Sequence, residues 1–310
     1  MTKVAWVFPG QGSQAVGMGR DLYDNVDSAR AVFQQADDAL GFPLSRLCFA
    51  GPEDELRQTV NTQPALVAVA LACLQATRSL NGSSLPAPAF VAGHSLGEYT
   101  ALAAAGVFDF AAAVRLARER GRLMHAAGQA SPGSMVAIIG LDEAILAEIC
   151  QQTDTCMANI NCPGQIVISG ATANVTRAMD MAKTKGAARA IPLQVSGAFH
   201  SPMMQPAVDG MTEFISSFSF QKPSIPVVGN TTAEPVTTAE SVRAELLNQL
   251  CNPVQWQRSI EYMINQGVST FIEIGPGKVL TGLIKRINRE VKTINIGDLE
   301  AISSLNNPSP

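Results

Sequence analysis

Charged residues are scarce in this chain: Asp, Glu, Lys and Arg make up 15% of its 310 residues, and hydrophobic residues make up 46%. A chain of this length and composition can bury a large core, as one big domain or as two lobes. The few charges, together with much alanine and glycine, favour closely packed α/β layers. The net charge of −4 gives no indication of a nucleic-acid partner, so any basic docking surface has to be local.

Long apolar runs, paired cysteines and clustered histidines are also missing. The N-terminal run Val4–Phe8 is too short for a signal peptide, and the longest apolar stretch, 65–74, is far shorter than a membrane span. The six cysteines contain no C-x-x-C pair, which favours reduced thiols in a cytosolic protein. The three histidines are too scattered for a metal site. We therefore expect a cytoplasmic protein with no metal, membrane or nucleic-acid partner.

The most informative stretch is Gly93–Gly97, with the sequence G-H-S-L-G. It lies between a short apolar run, 88–92, that predicts a buried strand and a segment, 96–105, that predicts a helix. G-x-S-x-G in this setting is typical of a nucleophile elbow, a turn so tight that both flanking positions are glycine. The turn places the hydroxyl of Ser95 near free N–H groups at a helix N-terminus, which favour developing negative charge. A chance match in a glycine-rich chain is the alternative, and the flanking elements argue against it.

Predicted strands and helices alternate along most of the chain, but their order changes between 128 and 196. There the order is β-α-β-β-α-β, which is the ferredoxin-like pattern. We therefore predict an α/β fold with two lobes. Residues 1–127 and 197–310 form a large α/β-hydrolase-like lobe with a mainly parallel sheet, and 128–196 form an inserted, smaller ferredoxin-like lobe. We also predict a disordered tail, 303–310.

Arg120 falls on the apolar face of a long helix predicted to begin after Asp109. A buried guanidinium needs an anion, because an unpaired buried charge is very costly. That anion is either a partner within the protein, such as Glu98, or a carboxylate of a ligand, and the residues alone favour the internal partner. Another helix is predicted to begin near Pro64, which suits a first turn and places Gln63 at the helix N-terminus.

A serine hydroxyl needs a base at neutral pH, and the histidines are the candidates. His94 adjoins Ser95 in sequence, but the elbow directs the two side chains apart. His125 lies near the C-terminus of its helix, where a cation is favourable for structural reasons. By elimination His200, in a glycine-flanked loop that returns from the inserted lobe, is the predicted base.

A series of motifs follows along the chain: F-P-G-Q-G-S-Q at 8–14, N-T-Q-P-A-L at 61–66, G-H-S-L-G-E-Y at 93–99, R-G at 120–121, G-A-F-H-S at 197–201, N-P-V-Q-W at 252–256 and E-I-G-P-G at 273–277. Together they resemble the malonyl-CoA:acyl carrier protein transacylases of the dissociated fatty-acid synthesis pathway, and the related acyltransferase domains of polyketide synthases. The resemblance covers nearly the whole chain.

The resemblance implies a serine acyltransferase that uses malonyl-CoA as substrate and needs no cofactor. Ser95 would be the nucleophile and His200 its base, oriented by a main-chain carbonyl near 252–255. The backbone N–H groups of Gln11 and Leu96 would form the oxyanion hole, which usually supplies the largest catalytic effect.

The same resemblance assigns the acyl-binding residues. Arg120 would form a bidentate pair with the free carboxylate of the malonyl group, which reverses the internal-partner interpretation. Gln63 and Gln255 would line the pocket. Phe199, just before the base, resembles the aromatic residue of malonyl-selective relatives, where a ring leaves no room for the methyl group of methylmalonyl.

The implied reaction moves the malonyl group from coenzyme A to Ser95 and then to the phosphopantetheine thiol of acyl carrier protein, in fatty acid biosynthesis. We expect a monomer that docks an acidic carrier through basic residues near the mouth of the site: Lys183, Lys185, Arg189, Lys278, Lys285 and Arg286. The alternatives are a serine esterase or thioesterase, an acyltransferase for another acyl group in polyketide synthesis, and a non-catalytic carrier-binding subunit.

Overall fold

The computed structural model of the chain describes residues 3–82 and 85–305. The strands in these ranges are β1 (Lys3–Phe8), β2 (Phe90–Gly93), β3 (Gly133–Ile139), β4 (Cys156–Cys162), β5 (Gln165–Ala171), β6 (Arg189–Pro192), β7 (Val227–Val228), β8 (Pro235–Val236), β9 (Val268–Ile274) and β10 (Lys292–Ile296). The helices are α1 (Arg20–Asn25), α2 (Asp27–Leu40), α3 (Leu44–Ala50), α4 (Glu53–Arg57), α5 (Thr59–Asn81), α6 (Gly97–Ala104), α7 (Phe110–Ala130), α8 (Glu143–Thr153), α9 (Thr172–Thr184), α10 (Gln205–Ser216), α11 (Ala239–Cys251), α12 (Trp256–Asn265), α13 (Val279–Ile287) and α14 (Leu299–Ser304).

The larger sheet is mainly parallel, as predicted. Its six strands lie in the order β10-β9-β1-β2-β7-β8. All neighbours run parallel except β8, which pairs antiparallel with β7. The central strand β1 is buried from Val4 to Phe8, because helices cover both faces of the sheet. The carboxyl ends of β1 and β2 therefore lie side by side, with Phe8 opposite Gly93.

The smaller sheet is antiparallel and comes from one continuous part of the chain. Its four strands lie in the order β4-β5-β3-β6. Side chains alternate between its two faces, as the pleat requires. Val136 and Ile138 of β3 belong to the hydrophobic cluster formed with α8 and α9. Met135 and Ala137 belong instead to the main core, so the small sheet packs against the rest of the protein through its second face.

Helix α5 begins earlier than predicted. It starts at Thr59, so Gln63 lies in its second turn and not at its N-terminus. Pro64 has no N–H to donate to the carbonyl of Val60, and the side chain of Arg118 donates to that carbonyl instead, at 2.9 Å. By length and composition α5 would be able to cross a membrane, but 83% of its most apolar window is buried inside the protein. A core helix of a folded domain meets the same criteria.

The predicted disorder of 303–310 is wrong for its first residues. Helix α14 extends to Ser304 because Asp298 caps it, accepting a hydrogen bond from the N–H of Ala301 at 2.7 Å. The buried Ile302 anchors this helix, and Asn81 donates to its carbonyl at 2.8 Å. Residues 306–310 lie outside the described part of the chain.

Candidate active site

The turn between β2 and α6 has the geometry of the predicted elbow. Ser95 has a φ of +51°, in the left-handed region that costs a non-glycine residue about 1 kcal/mol or more. Asn230 holds the turn from the neighbouring strand end. Its Oδ1 accepts from the N–H of Ser95 at 2.7 Å, and its Nδ2 donates to the carbonyl of Gly93 at 2.7 Å. No motif or periodicity pointed to Asn230, which lies 135 residues away from Ser95 in sequence.

The two glycines of the elbow are required by close backbone contacts. A Cβ atom on Gly93 would lie 1.9 Å from the carbonyl carbon of Gly97, and one on Gly97 would lie 2.1 Å from the carbonyl oxygen of Phe8. Neither contact can be relieved by rotating a side chain, because both involve backbone atoms. The glycines therefore allow the helix to begin directly against the end of β1.

Replacing Gly97 by alanine should lower the free energy of unfolding by more than about 3 kcal/mol, because the backbone of the elbow has to move. Gly282→Ala is the matched control. Gly282 lies inside α13 with no atom near the added methyl group, so this change should raise stability by about 0.5–1 kcal/mol. Urea denaturation of both variants measures the difference. Equal stability of the two would contradict the packing argument.

Ser95 and His200 meet across 105 residues of sequence: Oγ of Ser95 lies 2.8 Å from Nε2 of His200. The other ring nitrogen, Nδ1, lies 2.7 Å from the main-chain carbonyl of Gln249. A carbonyl can only accept, so Nδ1 carries the proton and Nε2 is left to accept from the serine hydroxyl. Burial, together with the charge of Arg120, lowers the pKa of His200 to about 3, which keeps the imidazole neutral.

We expected the carbonyl that orients His200 to lie near residues 252–255. The carbonyl at 2.7 Å belongs to Gln249, three residues before that segment, in the last turn of α11. The helical partner of that carbonyl would be the N–H of residue 253, which is a proline and has none. The carbonyl is therefore free for the imidazole, and the proline four residues later is the signal that sequence reasoning missed.

Arg120 is 1% exposed and lies against the nucleophile. Its Nη2 donates to Oγ of Ser95 at 3.1 Å and to Oε1 of Gln249 at 2.8 Å, and its Nη1 donates to Oε1 of Gln63 at 2.9 Å. Its Nε has no hydrogen-bond partner among the described residues. Within that same part of the chain, no carboxylate lies within the 4.0 Å of an ion pair with Arg120, so Glu98 is not its direct partner.

The two predicted oxyanion donors border the same cavity as Ser95. The N–H of Ser95 donates to Asn230 and is not available to an oxyanion, so the first N–H after the nucleophile that is available is that of Leu96. Within residues 3–82 and 85–305, the N–H groups of Gln11 and Leu96 donate to no other group. The side chain of Gln11 is fixed by a hydrogen bond from its Nε2 to Oγ1 of Thr59, at 3.2 Å.

The cavity has a volume of about 380 Å³ and lies between the two sheets. Nearly all the predicted site residues line it: Gln11, Gln63, Ser95, Leu96, Arg120, Phe199 and His200. Gln255 is the exception and does not line it. This residue is the N-cap of α12, where its N–H donates to the carbonyl of Asn230 at 2.7 Å and its side chain accepts from Arg258. Its prediction as a pocket residue does not agree with this placement.

The other histidines have different roles. His94 lines the cavity, but its Nε2 lies 2.8 Å from Oδ1 of Asn161 and its ring packs edge-on against Trp256. Burial lowers the pKa of His94 as well. His125 is not among the residues that border the cavity. The described ranges contain no group of three or more His, Cys, Asp or Glu residues that could hold a metal ion.

Comparison with known proteins agrees with this geometry. A family model described as "Acyl transferase domain" matches residues 5–301. The chain is 45% identical over 307 residues to the malonyl CoA-acyl carrier protein transacylase of Bacillus subtilis (strain 168), an alignment that covers 97% of this chain and 96% of that protein.

Solved structures give the same result. An acyl-carrier-protein-S-malonyltransferase from Bartonella henselae superimposes with a TM-score of 0.94 at 43% identity, covering 98% of both chains. A malonyl-transacylase solved in complex with its type II polyketide synthase acyl carrier protein superimposes with a TM-score of 0.93 at 41% identity, covering 99% of this chain and 100% of that one. The chain belongs to the acyl transferase family and, within it, to the malonyl-CoA:acyl carrier protein transacylases.

Proposed function

We propose that this protein transfers the malonyl group from malonyl-CoA to the phosphopantetheine thiol of acyl carrier protein, through a malonyl ester on Ser95, in fatty acid biosynthesis. One observation carries the proposal: a buried guanidinium, that of Arg120, donates a hydrogen bond to the hydroxyl that His200 also contacts. A nucleophile, a base and a cation that forms no ion pair with any described residue lie in one cavity, which fits an acyl group that carries its own negative charge.

In the first step, Oγ of Ser95 attacks the thioester carbonyl carbon and its proton passes to Nε2 of His200. Negative charge develops on the carbonyl oxygen, where the N–H groups of Gln11 and Leu96 stabilise it. The C–S bond then breaks, and the departing sulfur of coenzyme A takes the proton from His200. The protein is left with a malonyl ester and a neutral imidazole.

The second step repeats the first with a different thiol. The phosphopantetheine sulfur of the carrier attacks the ester carbonyl while His200 takes the thiol proton. The C–O bond to Ser95 then breaks, and His200 passes that proton to Oγ. Attack of the thiol on the malonyl ester has to be faster than attack of water, and a docked carrier favours the thiol by proximity.

Arg120 selects the acyl group in this mechanism. A malonyl group has its carboxylate one methylene away from the reacting carbonyl, so a cation next to the nucleophile can hold it during attack. The guanidinium is planar and matches a carboxylate through two parallel hydrogen bonds. Oε1 of Gln63 accepts a hydrogen bond from Nη1 of Arg120 at 2.9 Å and so keeps the guanidinium in place. The ring of Phe199 lines the cavity and leaves less room for a branched acyl group.

Two further parts of the proposal concern the organisation of the chain. We propose that 128–196 form an inserted ferredoxin-like lobe, and that 1–127 and 197–310 form an α/β-hydrolase-like lobe. The close approach of Gly128 to the main chain of Ser196 supports this boundary, since a Cβ atom on Gly128 would lie 2.1 Å from the carbonyl oxygen of Ser196. We further propose that the protein is a cytoplasmic monomer that needs no cofactor.

We propose that only some of the six basic residues are available to an acidic carrier. Lys183 pairs with Asp180, Lys285 donates to the carbonyl of Val291, and Arg286 donates to Gln165. Exposed Lys185, Arg189 and Lys278 make no such contact in the described part of the chain, and the exposed apolar side chains of Ile191 and Val279 lie near two of them in sequence.

If these cations dock the carrier, the KM for acyl carrier protein should rise steeply with ionic strength, because salt screens exposed charges. The rate of Ser95 acylation by malonyl-CoA should change less. Steady-state kinetics between low and high salt measure both quantities. A carrier KM that is independent of salt would contradict the electrostatic docking.

Mass spectrometry of the intact protein after mixing with malonyl-CoA tests the proposed function. A malonyl adduct mapped to Ser95, stable in water and discharged by a pantetheine thiol, is the expected result, and Ser95→Ala should show none. Rapid release of free malonate would favour a serine thioesterase. An adduct in Ser95→Ala, or transfer without any adduct, would exclude the mechanism.

A further inference from the structure

Glu98 is a buried carboxyl group that the mechanism above does not use. It lies in the first turn of α6 and is 0% exposed. Its Oε1 accepts hydrogen bonds from the N–H of Asn230 at 2.8 Å and from Nδ2 of the same residue at 3.1 Å. Its Oε2 accepts from Nε2 of Gln249 at 2.5 Å. In each of these contacts the partner is the hydrogen-bond donor and the carboxyl group is the acceptor.

The orientations of both side-chain amides are fixed by other partners. Nε2 of Gln249 also donates to the carbonyl of Ser95 at 2.9 Å, and its Oε1 accepts from Arg120. Oδ1 of Asn230 accepts from the N–H of Ser95. A carbonyl can only accept, and a guanidinium or backbone N–H can only donate. Neither amide can therefore flip without placing two donors or two acceptors against each other.

The charge state of Glu98 follows from these contacts. Burial and the nearby carboxyl group of Glu245 raise the pKa of Glu98 well above its ordinary value, while hydrogen bonds from Asn230 and Gln249 and the charge of Arg120 oppose that shift. A protonated carboxyl group would need an acceptor for its O–H, and its hydrogen-bond partners in the described part of the chain are all donors. The carboxylate is the form that satisfies every partner.

We propose that Glu98 is a positioning residue for acyl selection: its carboxylate fixes the amide of Gln249, and that amide holds the guanidinium of Arg120 in place for the carboxylate of the acyl group. This inference rests on the proposed function. The link through one amide has a physical purpose. A carboxylate in direct contact would occupy the guanidinium, whereas Glu98 supplies a negative charge nearby, and Nε of Arg120 has no hydrogen-bond partner among residues 3–82 and 85–305.

Glu98→Gln tests the role with little change of shape. Its amide N–H would face another donor, so the Gln249 amide has to turn and present N–H to Arg120. We expect the KM for malonyl-CoA in Ser95 acylation to rise roughly tenfold, as for loss of a hydrogen bond to a charged group. The acylation rate at saturation should change less, and the KM for acetyl-CoA, which has no carboxylate, should stay the same. A general structural defect would affect acylation by malonyl-CoA and by acetyl-CoA alike.

Gln249→Ala keeps the main-chain carbonyl that orients His200 and removes only the amide. It should raise the malonyl-CoA KM by a similar factor, and the double variant should be no worse than Gln249→Ala alone. Glu273→Gln is the control, because Glu273 is another buried carboxylate whose hydrogen bonds go to Leu280 and Thr281. It should leave the ratio of malonyl-CoA to acetyl-CoA acylation unchanged.

Three outcomes would overturn the inference. The first is an unchanged malonyl-CoA KM in Glu98→Gln, and the second is an equal effect of that change on malonyl-CoA and acetyl-CoA. The third is a malonyl-CoA KM in the double variant that rises by the product of the two single effects. Circular dichroism and thermal denaturation verify that each variant is folded, and Gln249→Ala keeps the test decisive if Glu98→Gln does not fold. Failure of the proposed function is a separate result. In that case the wild-type protein itself forms no malonyl ester on Ser95.

Discussion

Replacing Arg120 by alanine should lower the kcat/KM for malonyl transfer roughly 10²- to 10⁴-fold, because breaking a buried charge pair costs about 3–5 kcal/mol. The guanidinium is 1% exposed and contacts Gln63, Gln249 and the nucleophile, so water cannot easily replace it. An acyl group without a carboxylate does not use this pair. Acetyl transfer should therefore fall far less, and the ratio of acetyl to malonyl transfer should rise.

Two further variants separate the charge from its geometry. Arg120→Lys keeps the positive charge but loses the planar pair of donors, so it should restore only part of the malonyl selectivity. Arg122→Ala removes an exposed arginine of the same helix, which pairs with Glu119, and should leave transfer unchanged. Competition between malonyl-CoA and acetyl-CoA, measured by mass spectrometry of the acylated protein, gives the ratio directly. An unchanged ratio in Arg120→Ala would show that Arg120 does not bind the carboxylate of the malonyl group.

The parts of this protein that could be predicted from sequence are those encoded by neighbouring residues. The elbow needs two glycines within five residues, and both the strand before it and the helix after it are locally periodic. The helix that carries Arg120 was predicted from its apolar face and from Asp109, whose carboxylate accepts from the N–H of Ala112 at 2.7 Å. The meeting of Ser95 with His200 followed from elimination, since only three histidines are present.

The parts that could not be predicted depend on contacts between distant segments. Gln249 and Asn230 hold the elbow from more than a hundred residues away, and amide side chains have no sequence signal of their own. Gln255 was predicted to line the cavity by analogy with a motif, but it is the N-cap of α12 and its N–H donates to the carbonyl of Asn230. The separation between Arg120 and Glu98 is also a tertiary property. The sequence placed Arg120 on a buried helix face with Glu98 as a possible partner, and only the fold shows that Gln249 lies between them.

Replacing His200 by alanine should slow acylation of Ser95 by about 10²- to 10⁴-fold, the usual effect of losing a general base. His125→Ala is the matched control, since His125 lies on α7 outside the cavity and should not affect the rate. Single-turnover mixing with malonyl-CoA isolates this step from carrier binding. A loss of less than tenfold in His200→Ala would show that another group accepts the proton.

The pH dependence of acylation is a sharper test of the same residue. A base acts only when neutral, and the pKa of His200 is lowered to about 3 by burial and by the charge of Arg120. An ordinary histidine would protonate as the pH falls through about 6.5, and acylation would slow there. Here the rate should stay level between about pH 8 and pH 5, because protonation is delayed to lower pH. Arg120→Ala removes one of the causes of the low pKa of His200, so the rate of Ser95 acylation by acetyl-CoA should begin to fall at a higher pH than in the wild-type protein. An acid limb near 6.5 in the wild type would show that the imidazole is hydrated in solution and not held neutral by its surroundings.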